Sequence, residues 1–96
     1  MKLRWTRPAL ADLSDAHDYI ARDNPTAGQS IAQKIWDAAE ALCDHPEAGR
    51  RGHVEGTREW GVTDTPYLIV YRVKGDELQI LRVWHGRRNW QNNPLT

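Results

Sequence analysis

Pro66-Tyr67-Leu68-Ile69-Val70-Tyr71-Arg72-Val73, then Lys74-Gly75-Asp76-Glu77, then Leu78-Gln79-Ile80-Leu81-Arg82-Val83-Trp84 is a β-hairpin written in residue types. Two runs rich in β-branched and aromatic residues flank a polar turn that contains glycine, the pattern of paired antiparallel strands. Both runs are apolar over their middles on both faces. That fits central strands of a sheet with helices covering one side. Strict alternation along the second run puts Leu81, Val83 and His85 on one face and Ile80, Arg82 and Trp84 on the other.

Upstream, Trp60 to Val62 reads as a further strand, and the segment between His45-Pro46 and Gly56 reads as a loop with room for a short edge strand. The residue before proline is pushed out of the helical region, so a helix must end near His45. Two helices precede it. Pro8 is tolerated in a first turn, and Leu10, Leu13, Ala16 or His17, and Ile20 recur at helical spacing, predicting a helix over about 8–22. Asn24-Pro25 supplies a cap followed by proline, and Ile31, Ile35, Ala38 and Leu42 form the stripe of a second helix ending near Cys43. Trp36, one position off that stripe, widens its buried face. The short connection predicts an antiparallel helical hairpin. With Leu3 to Thr6 extended, the order is β-α-α-β-β-β, an α+β fold of one domain over residues 1–96, with a small, mainly antiparallel sheet.

The formal charge is zero, but it is unevenly divided. Residues 1–48 hold 5 Lys/Arg against 8 Asp/Glu, and residues 49–96 hold 8 against 5. A neutral total argues against strong non-specific nucleic-acid binding, yet it permits a local basic patch. Cys43 is the only cysteine, so no internal disulfide forms. His17, His45, His53 and His85 are scattered, without metal-ligand spacing, and neither a metal nor a cofactor is expected. The N-terminus lacks the apolar core of a signal peptide, and no run is long enough to span a bilayer, so a cytoplasmic protein is expected.

The residues that could carry chemistry cluster at strand ends. His85 leaves the sheet beside Gly86, where an imidazole could act as a general base, or be a strand-end histidine with no chemical task. Arg87 and Arg88 follow at once, and Arg58 lies just ahead of the middle strands. A modest bend would converge the three guanidiniums on one phosphate or carboxylate, which their planar forks bind through two oxygens. The alternative is a solvated basic rim with Arg58 paired to Glu59 or to a helix carboxylate. Trp84 reads as core, Trp90 as a contact residue in a polar tail, Tyr71 as buried with its hydroxyl satisfied locally, and Cys43 as an inert buried thiol.

Pro8-Ala9-Leu10-Ala11-Asp12-Leu13, Asp18-Tyr19-Ile20-Ala21-Arg22-Asp23-Asn24-Pro25, Gly49-Arg50-Arg51-Gly52, Gly56-Thr57-Arg58-Glu59, Tyr71-Arg72-Val73 and His85-Gly86-Arg87-Arg88 occur in that order. Together they resemble the RelE/ParE superfamily, the toxins of type II toxin-antitoxin modules, over nearly the whole chain. The resemblance implies a helical hairpin on a small antiparallel sheet. It also implies a cognate antitoxin that wraps and neutralises the toxin as a hetero-oligomer, with an amphipathic helix docked on the hairpin and strand addition at a sheet edge.

The superfamily divides by target. RelE-like members cut mRNA in the ribosomal A site; ParE-like members inhibit DNA gyrase without known catalysis. Only Lys2, Lys34 and Lys74 are present, so the lysine-rich strand resembling the RelE centre is missing. Gly61 and Val62 lie near where those lysines are expected, and Leu68 follows Tyr67 where RelE-like chains carry arginine. The gyrase reading is therefore placed ahead, with Arg88, Glu59 and Trp90 as target-binding residues. In the nuclease reading His85 is the base, and Arg58 and Arg87 hold the phosphate. A third reading is a decayed toxin or plain interaction domain whose arginines serve antitoxin binding.

Overall fold

A computed structural model describes residues 1–86. Its elements are β1 (Lys2–Trp5), α1 (Arg7–Ala21), α2 (Pro25–Leu42), β2 (Arg50–Arg51), β3 (Arg58–Gly61), β4 (Tyr67–Lys74) and β5 (Glu77–His85). This is the expected α+β order, with β2 as a two-residue edge strand inside the loop. The sheet runs β1-β5-β4-β3-β2, parallel between β1 and β5 and antiparallel elsewhere.

Both helices start on side-chain caps. Thr6 Oγ1 accepts from Ala9 N at 3.3 Å and also donates to Ile80 O at 2.8 Å, so the cap that starts α1 ties it to β5. Asn24 Oδ1 accepts from Ala27 N at 3.1 Å, and Pro25 opens α2 where its missing N–H costs nothing. The α2 stripe packs as expected, with Ile35, Ala39 and Leu42 fully buried and Ile31 and Ala38 against them. In α1 the stripe begins at Ala9, which is buried, and Leu10 is 45% exposed. Ala9, Leu13, Ala16 and Ile20 have the same helical spacing as the expected set, and the small residue is the one that fits against the sheet.

The core joins those helix positions to Tyr67, Ile69 and Tyr71 of β4 and to Leu78, Ile80 and Val83 of β5. Ile80 and Val83 were expected on opposite faces. Val70 pairs with Arg82 and Tyr71 with Ile80, so Leu81 is an extra residue that reverses the alternation. A β-bulge leaves no signature in an apolar run. Trp84 is buried as expected, and Trp36, half-exposed, stacks on Trp5 with ring centroids 5.1 Å apart. Cys43 is half-buried, and burial pushes its thiol above the usual range.

Candidate functional site

The bulge also creates an anchor that the sequence did not announce. β1 accompanies β5 only as far as Ile80, which leaves the second half of β5 beside α1. There Asp12 Oδ2 accepts from Val83 N at 2.9 Å and from Arg82 Nε at 2.7 Å, while Oδ1 accepts from Arg82 Nη2 at 3.0 Å. The bidentate pair raises the Arg82 pKa, and the guanidinium carbon lies 5.6 Å from the centroid of the Trp84 ring. Asp12 was quoted only as part of a motif. A carboxylate among the apolar residues of α1, matched by an arginine within an apolar strand, was the available signal.

The connection from α2 to β3 is organised from below by Tyr71. Its hydroxyl accepts from Gly49 N at 2.9 Å and donates to Pro46 O at 2.8 Å, so the phenol is buried with its polar end satisfied, as expected. Burial pushes its pKa above the usual range. A Cβ on Gly49 would lie 2.6 Å from that hydroxyl, so no other residue fits without moving the loop. Arg58 fixes the same turn from β3, with Nη1 donating to Gly49 O at 2.8 Å and to Glu47 O at 3.3 Å. Neither alternative pairing of Arg58, with Glu59 or with a helix carboxylate, is what the structure uses.

Glu59 faces the other way and is the one buried carboxylate among the described residues, 3% exposed at its side chain. Its Oε2 accepts from His53 N at 3.0 Å and lies 2.7 Å from His53 Nδ1, and Oε1 accepts from Arg50 Nη2 at 3.4 Å. Burial alone would raise its pKa, but the His53 side-chain and backbone contacts, with the Arg50 charge, outweigh that and hold it below its ordinary 4.5. Glu59 thus gathers the 50–53 segment onto β3. His53 and Arg50 had no assigned role in the sequence reading.

His85 sits across β4 from this cluster. It pairs with Tyr67, and its ring meets the Tyr67 ring edge-on at 5.5 Å. Arg58 pairs with Tyr71 on the other side of β4. Four residues along β4 at about 3.3 Å each and two strand spacings of about 4.8 Å put Arg58 and His85 roughly 16 Å apart at Cα. Whether Arg58 and His85 approach each other was left open by the sequence, and this register holds them apart. Arg87, Arg88 and Trp90 lie outside the described residues. Among the described residues no cluster of His, Cys, Asp or Glu could hold a metal, and no helix is long and apolar enough to cross a membrane.

Residues 3–90 match the family described as the ParE toxin of the type II toxin-antitoxin system parDE. The chain is 38% identical over 89 residues to the Y4kP protein of Sinorhizobium fredii, covering 93% of this chain and 92% of that one. It is also 38% identical over 84 residues to Toxin RelE2 of Caulobacter vibrioides, covering 88% and 93%. A solved chain from the chromosomal ParDE TA system of P. aeruginosa superposes with a TM-score of 0.80 at 35% identity, covering 88% of this chain and 95% of that chain. The helical hairpin, the five-stranded sheet and these matches agree: the chain belongs to the RelE/ParE superfamily of type II toxin-antitoxin toxins, on its ParE-like side.

Proposed function

We propose that this toxin arrests growth in the cytoplasm by ParE-like inhibition of DNA gyrase and that a cognate antitoxin neutralises it in a hetero-oligomeric complex. The observation that carries this reading is the match to the ParE family along residues 3–90, supported by the likeness to a ParDE toxin-antitoxin structure. The geometry adds weight. Phosphodiester cleavage needs a base and cations around one phosphate, and the register keeps Arg58 roughly 16 Å from His85. In the gyrase reading Arg88 and Trp90 contact the target. Glu59 contributes indirectly, by holding Arg50 and His53 in place beside β3.

The likeness to Toxin RelE2 favours a second reading, a ribosome-dependent mRNA endonuclease. His85 would then be the base and Arg87 would hold the phosphate, with Arg58 acting through the 47–49 turn. Induction without antitoxin, followed within minutes by assays of plasmid supercoiling and of mRNA integrity on ribosomes, separates the two. Relaxed plasmid and stabilised cleaved DNA complexes with intact mRNA are expected. Cut mRNA with normal supercoiling would replace the gyrase reading with the nuclease.

A further inference from the structure

Arg51 and Arg58 stand directly opposite each other across the β2–β3 pair. Like charges in that register sit roughly 5 Å apart at Cβ and destabilise a sheet unless something compensates them. Arg58 is immobilised through a single nitrogen by the Gly49 and Glu47 carbonyls, which leaves its other nitrogens without a partner among the described residues. Arg51 is exposed, and its side chain makes no hydrogen bond or ion pair with any described residue. Both line a cavity of about 550 Å³ whose other wall is Glu55, Gly56 and Thr57. Gly56 turns that wall at φ 83°, and a Cβ there would meet nothing within 4 Å, so the cavity is open at the turn.

We infer that the Arg51–Arg58 pocket is a docking site for a carboxylate side chain from an acidic segment of a partner protein. One guanidinium is already oriented by backbone carbonyls and the other is free to close on the ligand, so a carboxylate can take a fork from each side. An anion between them removes the like-charge penalty of the β2–β3 register, which gives its binding a source of energy beyond the contacts themselves. A nucleic-acid backbone fits less well. It needs a run of neutralised phosphates, whereas Arg50 is committed to Glu59 and the chain has no net charge. The inference is independent of the target assigned above.

The test titrates purified protein, with nitrogen-15 in its arginines, against the peptide acetyl-Glu-Asp-Glu-amide and follows the arginine Nε–H resonances. Arg51 and Arg58 should shift together and saturate. Arg51→Gln should weaken binding about tenfold, as expected for losing one charge-assisted contact. Arg72→Gln, which removes an exposed β4 arginine bonded to Gln79, should leave the affinity unchanged. The amide spectrum of the sheet reports that each variant is folded. Absence of a saturable shift, equal loss in Arg72→Gln, or tighter binding of a twelve-nucleotide RNA to the same two arginines would overturn the inference.

Discussion

Removing the Asp12 carboxylate should be among the most damaging single changes in this chain. Asp12→Ala leaves the Arg82 guanidinium, whose side chain is 17% exposed, without its bidentate partner, and it leaves Val83 N without an acceptor. Breaking one side of a buried ion pair costs about 3–5 kcal/mol, and an orphaned buried N–H about 1–3 kcal/mol. The two losses share one carboxylate and Arg82 retains some access to water, so roughly 3–4 kcal/mol is expected in total. A domain of this size has only about 5–15 kcal/mol of stability. The melting temperature should therefore fall by roughly 12–32 °C, at about 4–8 °C per kcal/mol. Asp12→Asn retains an oxygen for Val83 N and loses only the charge, so it should cost about half as much. Urea unfolding followed by circular dichroism measures all three proteins, with Arg82→Met alone and combined with Asp12→Ala to close the cycle. If Asp12→Ala lies within about 0.5 kcal/mol of the unchanged protein, or if Asp12→Asn is as damaging, the anchor argued here does not hold α1 to β5.

Tyr71→Phe removes an acceptor from Gly49 N and a donor from Pro46 O, and should cost about 1–3 kcal/mol in urea unfolding; an unchanged midpoint would mean that the 46–49 turn is held by Arg58 alone. The depressed pKa of Glu59 gives the fold a pH dependence whose sign is fixed. The stabilisation is complete above the carboxylate's ordinary 4.5 and is lost as pH falls through the lower value in the folded state. Thermal melts of the unchanged protein should thus drop, as pH falls below the ordinary 4.5, more steeply than those of Glu59→Gln, and parallel curves would remove Glu59 from the acid response.

The secondary structure was legible because its signals are local. Thr6 and Asn24 sit at helix starts beside Pro8 and Pro25, and the Lys74–Glu77 turn separates two β-prone runs that do pair from Lys74 with Glu77 to Tyr67 with His85. What escaped depends on partners far along the chain. The bulge at Leu81 lies where β5 passes from β1 to α1 as its neighbour, a change that no pattern within β5 announces. The same holds for Glu59: Gly56-Thr57-Arg58-Glu59 marks a strand entry, but nothing in it says that the carboxylate folds inward to collect His53 and Arg50.

The separation of Arg58 from His85, by contrast, follows from strand direction together with register. β3 is antiparallel to β4, and β4 to β5, so β3 and β5 run in the same direction. Arg58 begins β3 and His85 ends β5. The register then fixes the offset: Arg58 lies opposite Tyr71 in the middle of β4, and His85 lies opposite Tyr67 at its start, four residues away and two strands across. A ligand that touches both must bridge roughly 16 Å between their Cα atoms, which a protein surface does and a single phosphate does not. Arg58 therefore sits with Arg51 and the 47–49 turn, and His85 sits with Tyr67, about four residues away along the sheet. Substitutions at the two places should separate accordingly: Arg51→Gln should alter binding of an acidic partner and leave target inhibition in place, while His85→Ala should do the reverse, and a variant at either place that impaired both equally would show the sheet acting as one surface.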